Sequence, residues 1–285
     1  MTYREPLSQT VVAISISESP GMAPLGLATE HLVDAMAETA RHLLALGARL
    51  AYGGDLRTGG FTELLYELIV RHRRDADLGD TRPAVMHYMP WPAHCSKPAD
   101  EIRALADGLN GLVEIHCLDA NGSDIPLTAL DSRPSSAPTA EVIATSLSQM
   151  RMVMTQAVDG RVVLGGRVTG YQGRMPGIAE EALYSLRAGQ PLFVLGGFGG
   201  CAGDIAESLG LASTSAASGS ATWPERTEFA NFGPDSLNNG LDISENEVLA
   251  RTVHVDQAVA LLLRGLMRVV EAPQGAPSAG LGATT

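Results

Sequence analysis

Three short apolar runs in this 285-residue chain end in paired glycines, Gly53-Gly54, Gly165-Gly166 and Gly196-Gly197. A glycine pair after a strand lets the backbone turn sharply and aim its N–H groups at an anion. Each pair has a chemically useful neighbour: Arg57 follows the first, Arg167 directly follows the second, and Phe198 and Gly199 extend the third. A guanidinium beside such amides suits a phosphate, and a ring set among glycines can stack on a base. The first and third turns also have plainer readings, as a strand–helix connection without ligand and as a flexible loop. The loop Gly53–Gly60 fits neither GxGxxG nor GxxxxGK[ST].

The segment from Gly165 to Glu181 is the densest. It holds Arg167, Tyr171 and Arg174, then a helix start at about Pro176-Gly177. Glu180 and Glu181 fall in the first turn of that helix, where the dipole favours carboxylates whatever else they do. Their other reading is that one accepts hydrogen bonds from a ribose diol while its neighbour caps the helix or faces solvent. Upstream, Arg151 lies between Met150 and Met152. It either snorkels at the surface or adds a cation to the same pocket.

Other chemistry has less to stand on. The histidines form neither HExxH nor a pair at ligand spacing, so no metal is expected. Cys95, Cys117 and Cys201 are too scattered for a disulfide framework or a zinc site. His94-Cys95 are adjacent, but a nucleophilic pair needs facing side chains. No GxSxG elbow occurs. Ser15, Ser17 and Glu18 end the first strand, where they can contact a ligand or merely solvate the chain. Tyr88-Met89-Pro90-Trp91-Pro92 can lean over the pocket, pack, or form an interface.

These residues need a scaffold, and the pattern predicts one. Strands are expected at Val11–Ser17, Arg49–Tyr52, Pro83–Met89, Gly111–Leu118, Arg161–Leu164 and Pro191–Leu195. Helices are expected at Thr29–Leu46, about Phe61–Arg73, Ala140–Ala157, Gly177–Ala188, Ala202–Leu209 and His254–Val270. Such alternation implies an open, mainly parallel α/β sheet, Rossmann-like, with helices on both faces. Ligands of such sheets gather beyond the carboxyl ends of the strands. All three glycine pairs are therefore expected to line one pocket there. Ser213–Asn246 is too long for an ordinary connection and reads as a lid, an oligomer arm or a mobile loop. Residues 1–271 are expected to form one domain, and 272–285 a disordered tail rich in Pro, Gly and Ala.

Composition narrows the partners. With 20 Lys+Arg against 32 Asp+Glu the formal net charge is −12, which argues against non-specific nucleic-acid binding. Hydrophobic residues at 45% and charged residues at 18% suit a soluble globular chain. No apolar run reaches the roughly 20 residues of a membrane helix. The start MTYREPLSQT lacks the features of a secretory signal, so the cytoplasm is the expected compartment.

The order Tyr52-Gly53-Gly54, Gly165-Gly166-Arg167, Met175-Pro176-Gly177-Ile178-Ala179-Glu180-Glu181 and Gly196-Gly197-Phe198-Gly199-Gly200 resembles the SLOG superfamily of Rossmann-like domains. The wording is nearest to the SLOG sensor module of Thoeris anti-phage effectors, over roughly residues 10 to 210. It is more distantly similar to the LOG phosphoribohydrolases and the cytosolic domain of TRPM channels. The resemblance implies a ligand sensor for cyclic ADP-ribose-type signals, with Arg151, Arg167 and Glu181 as binding residues and Glu180 as an uncertain neighbour. A nucleotide ligand, no separate cofactor and a homo-oligomer are the corresponding expectations. Two departures matter: this chain has no room for the NAD-cleaving domain that precedes the module in Thoeris effectors. It also lacks the second glycine and the threonine of the PGGxGTxxE hydrolase signature. The rival reading is a nucleotide N-glycosidase using Glu180 or Glu181, and a third is a docking subunit that uses the C-terminal helix.

Overall fold

The computed structural model describes residues 5–54, 56–57, 59–75, 81–133, 138–213 and 223–272. Seven strands form one sheet, β1 (Val11–Ser17), β2 (Arg49–Gly53), β3 (Val85–Met89), β4 (Val113–Leu118), β5 (Asp124–Ile125), β6 (Gly160–Gly165) and β7 (Leu192–Leu195). Their order is β5-β4-β3-β2-β1-β6-β7, and all pairs are parallel except β4–β5. The chain builds outward from β1 to one edge, then returns to place β6 on the other side of β1. That reversal makes the gap between β1 and β6 the switch point where such sheets bind ligands.

Strand periodicity divides the core into two layers. Val12, Ile14 and Ile16 of β1 pack with Leu32, Met36 and Leu43 of α1 (Thr29–Ala45). The same layer holds α2 (Phe61–Asp75) and α9 (Val255–Glu271). On the opposite face Ala13, Ala51 and Met86 meet Met150 and Met154 of α5 (Ala140–Gln156). Val163 and Val194 pack there against α6 (Gly177–Arg187) and α7 (Gly200–Ser208). Burying one such aliphatic side chain stabilises the fold by about 1.5–3 kcal/mol. The layers are therefore held chiefly by these apolar stripes.

Several elements differ from the sequence reading. Short helices α3 (Trp91–Cys95) and α4 (Ala99–Gly108) connect β3 to β4, and β5 adds an antiparallel edge strand. Their few residues carry too little periodicity to be seen in advance. Ser213–Asn246 is not one long loop. From 223 on it contains 3-10 turns at Arg226–Asn231 and Pro234–Leu237 and the start of α8 (Ile243–Arg251). Trp223 and Phe229 are buried against each other's edges, so this segment packs as core. Residues 214–222, and the tail from 273 on, lie outside the described residues. Among the described residues no helix is long and apolar enough to cross a membrane.

Glu245 ties α8 to α9. It completes a capping box with Asp242, and its carboxylate also accepts from Arg264 at 2.8 Å and Arg268 at 2.6 Å. Arg268 first, then Arg264, pull its pKa down to about 2. A depressed carboxylate stabilises the fold above its ordinary titration range, and that contribution fades as pH falls through the folded value. The stability advantage of the wild type over Glu245→Gln is therefore expected to shrink between about pH 5 and pH 2. Urea midpoints measured across that range check it, and a constant advantage would remove the titration argument.

Candidate functional site

A cleft of about 790 Å³ opens beyond the carboxyl ends of β1 and β2. Ile16, Ser17 and Glu18 come from the β1 end, Tyr52, Gly53 and Gly54 from β2, and Arg167 from the loop after β6. Three helix starts reach it as well, through Thr29 of α1, Phe61 and Thr62 of α2, and Gly177 and Ile178 of α6. First-turn amides have no intrahelical acceptor, and the helix dipole makes each start favourable for an anion. Leu147, Met150 and Arg151 of α5 form a side wall.

Seven of the expected residues line this cleft: Gly53, Gly54, Arg57, Arg151, Arg167, Gly177 and Glu181. The others stand elsewhere for packing reasons. Gly165 (φ +64°) and Gly166 (φ +96°) turn the chain out of β6, and side chains there would collide with Ser17 O and Ile178. Gly166 N–H donates to Ser17 O at 2.7 Å, and Gly54 N–H to Tyr88 O at 3.3 Å. Those amides are engaged inside the fold and not aimed at a ligand. Pro176 is the buried N-cap of α6.

The third glycine pair does not reach the cleft at all. A Cβ on Gly196 would lie 2.7 Å from that of Ala206, and one on Gly197 only 2.3 Å from Thr252 O. These glycines admit α7 and the end of α8. Phe198 is 1% exposed, so it fills the core and has no face for a base. Gly199 packs near Gly21 and Leu25. The expectation of one pocket lined by all three pairs is corrected: the first lines it, the second shapes it, and the third is sealed by packing.

Beneath the cleft lies a buried charge network that the sequence reading only partly anticipated. Arg161, the second residue of β6, lies on the α5–α6 face and is fully buried. Its Nη1 donates to Ser15 Oγ and to Glu181 Oε2, each at 2.8 Å, its Nε to Ser185 Oγ at 2.9 Å, and its Nη2 to Thr155 Oγ1 at 3.0 Å. Ser15 Oγ in turn donates to Glu181 Oε2. Burial pulls the Arg161 pKa below its ordinary value, and the Glu181 carboxylate opposes that shift. Arg151, 8% exposed, donates from Nη1 to Glu180 Oε2. Its Nε is buried without a hydrogen bond, 3.6 Å from Glu181 Oε1. Ser148 and Tyr184 donate to the other oxygen of Glu180.

The two arginines and two glutamates balance. Arg151 is therefore a compensated cation, unlike the phosphate neutraliser expected for it. Gly173 and Gly177 are small because its guanidinium lies against them: a Cβ on Gly173 would stand 2.9 Å from one of its nitrogens, and a Cβ on Gly177 only 2.6 Å from another. Arg167 is different. It is exposed at the cleft and has no hydrogen bond or ion pair among the described residues. Arg174 is exposed too, but does not line the cleft and donates to Thr145 Oγ1 at 3.2 Å.

Further residues support the rim. His87 is fully buried on β3, with Nε2 3.1 Å from Gly54 O and Nδ1 beside the Tyr66 hydroxyl at 2.5 Å. With Nε2 as the donor, Nδ1 accepts from Tyr66, and the glycine turn is held from below. Burial, and then Cys117, push the Tyr66 pKa up. The His94–Cys95 pair shows no activation: the atoms are 3.8 Å apart, burial lowers the His94 pKa, and burial raises that of the thiol. Among the described residues no cluster of His, Cys, Asp or Glu could hold a metal ion. Asp55 and Thr58 of the first glycine loop lie outside the described residues.

Sheet order, the switch-point cleft and converging helix starts place the chain in the doubly wound, Rossmann-like class of α/β proteins. A family model described as SLOG cluster2 matches residues 6–235, which is most of the chain, and the protein belongs to this family of the SLOG superfamily. No curated protein matches it.

Proposed function

We propose that the protein binds a nucleotide-derived ligand of the ADP-ribose or cyclic ADP-ribose type in the cleft between β1, β2 and β6. The observation that carries this reading is Arg167, a cation with no ion pair or hydrogen bond among the described residues, on the wall of a 790 Å³ cleft reached by three helix starts. That volume lies within the range of small-molecule sites, about 300–1,000 Å³. A phosphate would lie by Arg167, while Oε1 of Glu181, which unlike Oε2 accepts no hydrogen bond among the described residues, would accept one from a ribose. The cleft also presents Glu18, Glu63 and Glu67, so the reading requires the phosphate to lie nearer to Arg167 than to these carboxylates. The resemblance to sensor modules of anti-phage effectors supports a signal-binding role in the cytoplasm, in a homo-oligomer of one-domain chains.

The rival reading, hydrolysis of a nucleotide N-glycosidic bond, has less support. Of the two glutamates only Glu181 lines the cleft, and its Oε2 is already held by Ser15 and Arg161. A carboxylate so engaged is poorly placed to take a proton from water. A thermal-shift screen over NAD, ADP-ribose, its cyclic isomers, AMP and CMP tests the proposal. Ligand at a hundred times its Kd adds about 2.7 kcal/mol of stability. A flat response across the panel would overturn the binding reading. Release of free base from AMP or CMP is expected to stay below about 1 per second, and faster release would favour the hydrolase.

A further inference from the structure

Among the described residues three aromatic side chains line the cleft, Tyr52, Phe61 and Tyr171. Two of them are structural. Tyr52 is buried in the core of the α1 layer, and Phe61 packs against the same core from the start of α2. Tyr171 does neither. It is half-buried, belongs to none of the buried core, and makes no hydrogen bond or ring contact among the described residues. The fold gives no reason for a ring at that position, and the ring keeps a face for a flat partner.

The loop that carries Tyr171 is pinned at both ends. Gly166 N–H donates to Ser17 O at 2.7 Å and Cys201 N–H to Gly166 O at 2.9 Å, while Arg174 donates to Thr145 of α5 at 3.2 Å. Gly173 lies against the Arg151 guanidinium. The loop therefore runs along α5, whose Leu147 and Met150 line the cleft as well. A pinned loop loses little freedom when a ligand binds, and apolar neighbours suit a flat, uncharged group better than a second phosphate. Arg167 stands on the same loop, so a cation and a free ring reach the cleft from one held segment.

We propose that Tyr171 is the stacking platform for the base of the ligand, and that it gives the cleft a preference for purine over pyrimidine bases. The larger purine face covers more of a tyrosine ring, and stacking strength alone can set such a preference without hydrogen bonds to base edges. The inference rests on the nucleotide-binding reading above and adds which residue receives the base.

Calorimetry on the full chain with ADP-ribose, ADP and UDP tests it, using the wild type, Tyr171→Phe and Tyr171→Ala. The wild type is expected to bind ADP several-fold tighter than UDP. Tyr171→Ala is expected to weaken ADP-ribose about tenfold and to bring ADP and UDP to one level. Tyr171→Phe keeps the ring and loses only a hydroxyl without a partner, so it should bind as the wild type does. Stacking involves no net charge, so the alanine deficit should be the same at two salt concentrations, which separates it from a displaced Arg167. A wild type that binds UDP as well as ADP, or an alanine variant that binds like the wild type, would overturn the platform and leave the nucleotide reading standing. So would a phenylalanine variant that loses as much as alanine, or a deficit that shrinks with salt. The base preference of the wild type needs no variant and decides the matter should Tyr171→Ala not fold. Binding of neither ADP-ribose nor ADP would bring down the nucleotide reading, and the platform with it.

Discussion

Arg161→Met is expected to lower the free energy of unfolding by about 3–5 kcal/mol, the usual cost of removing one partner from a buried ion pair. Methionine replaces the aliphatic stem and leaves the place of the guanidinium empty, so the loss combines the broken charge network with a small cavity. It strands Glu181, whose Oε2 then keeps only Ser15, and it leaves Thr155 and Ser185 without their guanidinium donor. It also leaves two buried glutamates facing the single cation Arg151. Against a typical stability of about 5–15 kcal/mol the loss is large. Arg41→Ala, which breaks an exposed pair with Glu38, serves as the control and should cost no more than about 1 kcal/mol. Urea unfolding with a common slope measures both. A loss below about 1 kcal/mol for Arg161→Met would mean that the network does not hold β1, β6 and α6 together.

Arg161 also marks where the sequence stopped being informative. The run Arg161-Val162-Val163-Leu164 reads correctly as a buried strand, because β-branched and aliphatic residues leave few alternatives. A charged residue inside such a run is a signal in itself, since a fully buried arginine must find a carboxylate. The partner could not be named, because Glu181 is twenty residues away and approaches only once α6 packs on the sheet. Glu180 is a first-turn residue of α6, as the sequence indicates, while Glu181 falls just beyond that turn. That they point into a network with both arginines depends on tertiary contact. The glycine pairs show the converse limit. Glycine reports that something comes close, and the sequence does not say whether it is a ligand or another part of the chain. Gly53-Gly54 line the cleft, yet what stands close to them is Met150 and Tyr52, and at Gly196-Gly197 it is the carbonyl end of α8. His87 was missed for a related reason: a histidine in an apolar strand has no local partner, and Tyr66 and Gly54 reach it only across the fold.

Arg167→Ala is expected to weaken ligand binding by about ten- to a hundredfold, whereas Arg174→Ala should change it little. The two arginines flank one loop and look equivalent in sequence, but their surroundings differ. Arg167 lines the cleft and has no ion pair or hydrogen bond among the described residues. Arg174 does not line it and donates to Thr145. A charge-assisted hydrogen bond contributes about 1.5–3 kcal/mol, and each 1.4 kcal/mol is tenfold in affinity. An exposed cation away from the ligand is screened by solvent and salt, so its truncation costs far less. Neither side chain is buried, so both variants should keep the stability of the wild type, which separates binding from folding. Calorimetric titration with ADP-ribose at two salt concentrations measures the difference, and the deficit of Arg167→Ala should narrow as salt rises. If Arg174→Ala loses more affinity while both chains remain folded, the phosphate lies on the far side of the loop and the cleft has been assigned the wrong end of the ligand.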